Sequence, residues 1–324
     1  MRILLTGATG FIGSSFLKKA LRAGHHIAGL ILPGQPVPTN LPNDPRLIWM
    51  WGTLADPPWN EIAGFGAETC VHGAWIVTPG ICLESPENRV FLQHSLSFLR
   101  RLSELGTRHL VGLGTCIEYQ ITSQRLSEDH TPVVPTTVYA RCKNELRLAL
   151  EAQARERDQT LCWARIFYPY GPGESPERLC SYVLDRLHCG EPVLLKTPQS
   201  TKDYIHITDL AAALLTVVEQ RFHGTINLGT GVGSTVSQIA KSLAHLLGRG
   251  YLIREADPPE HDPFPFVVAD ATKLHRLRWT PQTTLEAGLH GMVAAYTNRP
   301  AIEAQPFRPP RTGSSGKHTR AAQR

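Results

Sequence analysis

Apolar positions fall in two patterns along this chain, and the alternation between them outlines a fold. Short, nearly unbroken apolar runs recur through the first half: Ile3-Leu4-Leu5, His26 to Leu32, Arg46 to Trp51, Thr69 to Trp75 and Arg108 to Gly114. Runs of this length read as strands buried on both faces, as in a parallel sheet. Between them lie segments of helical character. Ser14 to Ala23 ends at Gly24, and Val90 to Leu105 carries Leu92, Leu96, Leu99 and Leu102. Pro135 to Arg157 starts in turn residues and becomes helical. Strands alternating with helices predict an α/β class chain with a doubly wound parallel sheet over residues 1–165. Beyond Arg165, helical segments near Leu179–His188, Asp209–Gln220 and Ser237–Leu247 predict a smaller α/β lobe over 166–298. Strands from the 200–230 region are expected to return to the first domain.

The first junction carries the strongest local signal. Thr6-Gly7-Ala8-Thr9-Gly10-Phe11-Ile12-Gly13 spaces three glycines as G-x-x-G-x-x-G, directly after a strand and before a helix. Glycines let such a turn bend sharply and bring backbone N–H groups to a pyrophosphate at the positive end of the helix. That order predicts a Rossmann-type dinucleotide site; a tight βα turn without ligand is the plainer alternative. An NAD site usually places an acid at the end of the second strand, and an NADP site an arginine. Here that strand ends Leu32-Pro33-Gly34, with neither. The missing basic residue tilts the expectation toward NAD over NADP.

Thr115 stands at the C-terminal end of the fifth strand, where ligands of open parallel sheets bind; capping the strand is its plainer role. Downstream, Tyr139 and Lys143 are four residues apart and share a helix face. A phenol needs help to exchange protons near neutrality, and a nearby ammonium or positively charged nicotinamide favours its phenolate. His72, within an apolar strand, is read as a packed structural histidine.

These residues, with four later segments, resemble an extended short-chain dehydrogenase/reductase of the NAD-dependent epimerase/dehydratase family, whose members modify nucleotide sugars. Arg165 to Gly173 (RIFYPYGPG) is similar to R-x-F-N-x-Y-G-P, and Lys202 to Asp209 (KDYIHITD) to R-D-[FY]-[IV]-H-V-x-D. Asn227 to Gly231 (NLGTG) is similar to N-[IL]-G-[ST]-G, and Ala269-Asp270 with Leu277 to Pro281 (LRWTP) to a late A-D…L-G-W-x-P. The resemblance covers residues 2–296. It implies that Tyr139 is the general acid/base, that Lys143 holds the nicotinamide ribose, and that Thr115 hydrogen-bonds the reacting oxygen. It places the cofactor against Gly7, Thr9, Gly10, Phe11, Ile12, Gly13, Thr53, Leu54, Gly73, Ala74, Tyr139, Lys143 and Tyr168. It places substrate against Thr115, Tyr168, Lys202 and Tyr204. A homodimer through the helices at about 90–105 and 138–157 is implied in the same way.

Some positions depart from the family pattern. The 4,6-dehydratases carry Asp-Glu after the strand-end Thr, whereas Cys116 and Ile117 stand here, against dehydration. Glu118 follows, expected on the other side of the strand end, and Cys116 is read as a structural thiol. Tyr168 replaces an Asn that contacts substrate. Lys202 replaces an Arg that grips the diphosphate, keeping the charge but losing the bidentate fork. A second diphosphate Arg is missing from Glu255 to Phe266 (EADPPEHDPFPF). The expected activity is a 4-epimerase or 4-keto-reductase of a nucleotide-activated sugar. The alternatives are a reductase of a non-sugar carbonyl and a dinucleotide-sensing binding protein, against which the intact Thr115, Tyr139 and Lys143 argue.

Composition narrows this further. At 42% hydrophobic and 19% charged residues, the 324-residue chain is ordinary for a soluble enzyme. No apolar run reaches the roughly 18–20 residues of a membrane helix, and the run ending at Thr6 is shorter than a secretory segment. Seven cysteines without a C-x-x-C pair suggest reduced thiols and a cytoplasmic protein, with no metal site. The net charge of +5 is no nucleic-acid signal: four of those charges belong to the dispersed basic residues from Ala301 onward, in a tail, 299–324, read as disordered.

Overall fold

The structure is a computed structural model, and it describes residues 1–298 apart from Val77, Pro79 and Pro258. The basic tail lies outside these residues. Chain order is β1 (Arg2–Thr6), α1 (Phe11–Arg22), β2 (His26–Ile31), β3 (Leu47–Trp51), α2 (Trp59–Phe65), β4 (Thr69–His72), α3 (Glu87–Glu104) and β5 (His109–Thr115). Then follow α4 (Val138–Glu156), β6 (Thr160–Ile166), β7 (Tyr168–Tyr170), α5 (Leu179–His188), β8 (Val193–Leu195), β9 (Thr201–His206) and α6 (Ile207–Glu219). The last elements are β10 (Gly224–Leu228), β11 (Gly233–Thr235), α7 (Val236–Leu246), β12 (Ile253–Glu255), β13 (Phe266–Val267), α8 (Thr272–Arg276) and α9 (Leu285–Thr297).

Seven strands pair in parallel in the order β10-β6-β5-β4-β1-β2-β3. Because successive strand residues face opposite sides, each apolar run feeds two cores. Ile3, Leu5, Val71, Val111 and Ile226 pack on one face against Phe16 and Leu17 of α1 and Leu210 and Leu214 of α6. Leu4, Cys70, Leu110 and Trp163 pack on the other against Phe98 and Leu99 of α3 and Leu146 and Leu150 of α4. Apolar runs without polar alternation are what two covered faces require.

The chain runs outward from β1 through β2 to β3, then returns to the other side of β1 as β4. The strand order therefore reverses between β1 and β4, where open α/β sheets hold their ligands. β4 ends at His72, three residues before Trp75: the Gly73 N–H is shared between the Thr6 carbonyl at 3.2 Å and Thr6 Oγ1 at 3.1 Å, and the Ala74 N–H donates to Thr6 Oγ1 at 3.1 Å. A third core, with Val183, Leu187, Leu243 and Met292, joins α5, α7 and α9. β7 runs beside β9 in register, Tyr168 opposite Tyr204. None of the described helices is long and apolar enough to cross a membrane. All seven cysteines are free thiols.

Candidate active site

The glycine turn lies at the reversal of strand order. Gly7 has φ +70°, and a Cβ there would meet the backbone of Gly73 and Ala74 at 2.8 and 2.9 Å, so only glycine lets the two strand ends approach. A Cβ on Gly13 would overlap the Gly7 carbonyl. Helix α1 starts beyond Gly10 at Phe11, without a side-chain cap and without an acid in its first turn. Its leading N–H groups lack intrahelical partners and carry the positive end of the helix dipole. This cradle fits a dinucleotide pyrophosphate. Thr9, Phe11 and Ile12 are half-buried around it. At the far end, β2 stops at Ile31 and Leu32 is 56% exposed, so neither an acid nor a base awaits the adenosine ribose there.

A cavity of about 580 Å³ opens beside this turn, and Ile12, Gly73, Thr115, Tyr139, Lys143, Tyr168, Lys202 and Tyr204 all line it. Thr53 and Leu54 do not: Thr53 Oγ1 accepts the Asp56 N–H at 2.9 Å beyond β3, and Leu54 packs against the second core. Ala74 is likewise outside the lining, with its N–H held by Thr6.

Thr115 caps a turn and also lines the cavity. Its Oγ1 accepts the Ile117 N–H at a long 3.5 Å, capping a 3₁₀ turn over Cys116–Glu118. A hydroxyl that accepts still has its own proton to donate, and this one faces a ligand-sized space. Tyr139 sits in the first turn of α4, which Thr137 caps through the Ala140 N–H at 3.1 Å. The Tyr139 N–H donates to the Leu83 carbonyl at 2.9 Å, tying the helix start to the loop before α3.

Lys143 differs from the simple picture of an ammonium resting on the phenol. Its Nζ donates to the Leu113 carbonyl at 2.8 Å and lies 4.0 Å above the Trp75 ring, against 5.9 Å to the Tyr139 ring centroid. Burial pulls its pKa down to about 7, opposed by the Glu118 charge. Burial also pushes the Tyr139 phenol up, with Glu118, Cys82 and Cys116 adding to the rise and Arg178 opposing it. In this state the phenol is thus less acidic than in water, and a positive charge brought close to it would act in the opposite direction.

The opposite wall holds Tyr168 and Tyr204, ring centroids 6.1 Å apart. Lys202 Nζ lies 5.6 Å from the Tyr168 ring and donates to the Phe264 carbonyl. Three charged residues on this side were missed by sequence reasoning: Glu174, Arg178 and Lys196. Glu174 is buried, and burial lifts its carboxyl to about 7 although Oε1 accepts the Ser181 N–H at 2.8 Å. Trp75, beneath Lys143, was missed too. Only tertiary folding brings these residues to Tyr139; no spacing announces them.

Several sequence signals prove to be scaffold. Glu118 does not line the cavity. It is fully buried, pairs with Arg165 at 2.8 Å, and accepts from Trp163 Nε1 and the Thr115 N–H. Asp203 accepts N–H groups from Thr230, Gly231 and Ala269 and the Thr230 hydroxyl, so one buried carboxylate joins three of the late motifs. His72 bridges Thr6 and Ser95, each at 2.9 Å, as a packed histidine does; burial drives its pKa down to about 3. Cys116, by contrast, lines the cavity, and burial pushes its thiol up to about 12.

Residues 3–229 match the NAD dependent epimerase/dehydratase family. The chain is 26% identical over 305 residues to a UDP-glucose 4-epimerase of Corynebacterium glutamicum, covering 88% of this chain and 92% of that protein. It is 26% identical over 286 residues to a dTDP-glucose 4,6-dehydratase of Streptomyces antibioticus, covering 81% and 82%. The structure of the Thermus thermophilus UDP-glucose 4-epimerase in complex with NAD matches the fold with a TM-score of 0.79 at 24% identity, covering 92% of this chain and 99% of that one. The glycine turn at the strand reversal and the cavity holding Thr115, Tyr139 and Lys143 therefore belong to a member of the NAD dependent epimerase/dehydratase family, an enzyme of the extended short-chain dehydrogenase/reductase type.

Proposed function

We propose that this enzyme moves a hydride at C4 of a nucleotide-activated sugar, as a 4-epimerase or a 4-keto-reductase. The observation that carries the reading is the meeting of Thr115, Tyr139 and Lys143 with Ile12 and Gly73 of the dinucleotide turn around one cavity. A bound nicotinamide supplies the hydride acceptor or donor. Tyr139 exchanges the proton of the C4 oxygen, and the Thr115 hydroxyl donates to the same oxygen. Lys143 holds the nicotinamide ribose and adds positive charge beside the phenol. The turn residues Gly7, Thr9, Gly10, Phe11 and Gly13 receive the pyrophosphate; Tyr168, Lys202 and Tyr204 receive substrate.

Elimination toward a 4,6-dehydrated sugar is the weaker reading. Cys116 and Ile117 follow Thr115, and neither a thiol held protonated by burial nor a hydrocarbon replaces an acid pair. The apolar end of β2 favours NAD over NADP. Exposed Val90 on α3 and Leu148 on α4 support a homodimer through these two packed helices.

Reduction of a non-sugar carbonyl is the second reading, favoured by Lys202, whose ammonium is engaged by the Phe264 carbonyl. Two measurements on the purified chain test the proposal. Free UDP, dTDP, GDP or CDP competes with substrate if a nucleotide sugar is bound, and none competes under the second reading. Assay of the dinucleotide released on denaturation separates the two sugar chemistries. Near-stoichiometric NAD marks an epimerase, which regenerates its cofactor within each turnover, whereas an empty protein that prefers NADPH marks a reductase.

A further inference from the structure

Lys143 is placed by contacts that lie outside the helical spacing that pairs it with Tyr139. Its Nζ lies 4.0 Å from the centre of the Trp75 ring and donates to the Leu113 carbonyl at 2.8 Å, with 3% of the residue exposed. An ammonium has three N–H donors. The Leu113 carbonyl takes one, and the π-face of the indole attracts the charge from a second side. Burial works against that charge and pulls the Lys143 pKa down to about 7, whereas Glu118 supports it. An indole face supports it too, without itself titrating.

The indole is fixed in turn. Its Nε1–H donates to Asn88 Oδ1 at 2.8 Å, and the Phe91 ring packs against it with centroids 5.9 Å apart. Asn88, wholly buried in the first turn of α3, donates from Nδ2 to the Cys82 carbonyl at 2.7 Å and to the Ser85 carbonyl at 2.8 Å. Its amide oxygen is thus spent on the indole and its amide nitrogen on the loop before α3. That loop presents the Leu83 carbonyl to the Tyr139 N–H at 2.9 Å. A buried amide with these partners cannot turn without leaving polar groups unpaired. One side chain therefore ties the support beneath Lys143 to the support of Tyr139.

We propose that Trp75 and Asn88 are positioning residues for Lys143: the indole face holds the ammonium in place against the cost of burial, and Asn88 fixes that indole relative to the loop that carries the start of α4. The proposal rests on the reading of Lys143 as the residue that holds the nicotinamide ribose.

The test is the affinity of the full-length enzyme for NAD and for NADP, measured by calorimetry. Lys143→Met comes first and is expected to weaken the better-bound dinucleotide. An unchanged affinity, or a wild type that binds neither, overturns the reading of Lys143 itself, and is distinguishable because it appears before Trp75 is altered. Trp75→Leu is then expected to weaken binding by roughly 3- to 30-fold, the range of a desolvated cation–π contact. Trp75→Phe, which keeps a ring face, should stay within about threefold of the wild type. In the Lys143→Met background, Trp75→Leu should change the affinity by less than about twofold, because the two side chains act as one unit. A full loss in that background overturns the proposal, since it would make Trp75 a contact of the dinucleotide. So does wild-type affinity in Trp75→Leu, or a Trp75→Phe variant as weak as Trp75→Leu. Asn88→Ser, too short to reach the indole, is expected to fall between the wild type and Trp75→Leu, and wild-type affinity there overturns the part assigned to Asn88. Urea unfolding accompanies each variant; where Trp75→Leu or Asn88→Ser does not fold, Trp75→Met or Asn88→Thr takes its place.

Discussion

Two glutamate–arginine neighbourhoods flank the catalytic candidates, and they are built oppositely from the same side chains. Beneath the end of β5, Glu118 and Arg165 meet at 2.8 Å, both almost wholly buried, with Trp163 and the Thr115 N–H filling the remaining acceptor positions. Arg165 also lies 4.1 Å above the Tyr119 ring. In the cavity wall, Glu174 and Arg178 share a field without forming a pair. The first neighbourhood is satisfied from within and fixes where Thr115 stands. The second lines the cavity, and among the described residues its two side chains form no ion pair.

That contrast can be broken at four points. The largest effect is expected on the open side at Tyr139. Tyr139→Phe should lower turnover by about 10²- to 10⁴-fold, the usual weight of a general acid/base, while the unfolding free energy in urea changes by less than about 1 kcal/mol. Next is the closed pair. Glu118→Gln leaves a buried guanidinium unpaired and should cost roughly 3–5 kcal/mol in chemical denaturation, and adding Arg165→Met should recover much of that loss. If the single variant is as stable as the wild type, the pair does not hold the strand end.

Smaller effects follow in the wall. Arg178→Gln should leave unfolding within about 0.5 kcal/mol of wild type, since no internal partner is lost; a large loss of stability would show the guanidinium to be a structural group. Glu174 gives a pH signature. Burial raises its carboxyl from an ordinary 4.5 to about 7, so the native state holds the proton more tightly than the unfolded chain. Stability contributed by this proton is full below about 4.5, declines as the pH rises toward about 7, and is gone above it. Glu174→Gln should remove that decline, measured as the difference in urea unfolding between about pH 5 and about pH 8. Lys143, drawn down to about 7, contributes the opposite slope between 7 and its ordinary 10.5, which the wild-type comparison shares with the variant.

How far the sequence foretold this depends on the distance over which each feature is written. The glycine turn was legible because strand, turn and helix are consecutive, and the two faces of the sheet follow from apolar runs such as Ile3-Leu4-Leu5. Tyr139 and Lys143 were legible as one helix face. The partner of Lys143 was not, because Trp75 and the Leu113 carbonyl come from two other strand ends. Arg165 and Asp203 belong to recognisable motifs, but what they do is structural, since their partners Glu118, Thr230 and Ala269 are distant in sequence. Arg178 carried no signal at all: it follows a Gly-Pro-Gly turn in a segment whose only visible feature was a coming helix.

The most direct measurement is a single turnover on the enzyme loaded with the nicotinamide cofactor it retains, followed by the near-ultraviolet absorbance of the reduced ring. Mixing with the nucleotide sugar it binds is expected to change that absorbance in the wild type and leave it flat in Tyr139→Phe, with both proteins retaining the dinucleotide. An unchanged transient in Tyr139→Phe, or no transient with any nucleotide sugar in the wild type, would contradict C4 hydride transfer at Tyr139.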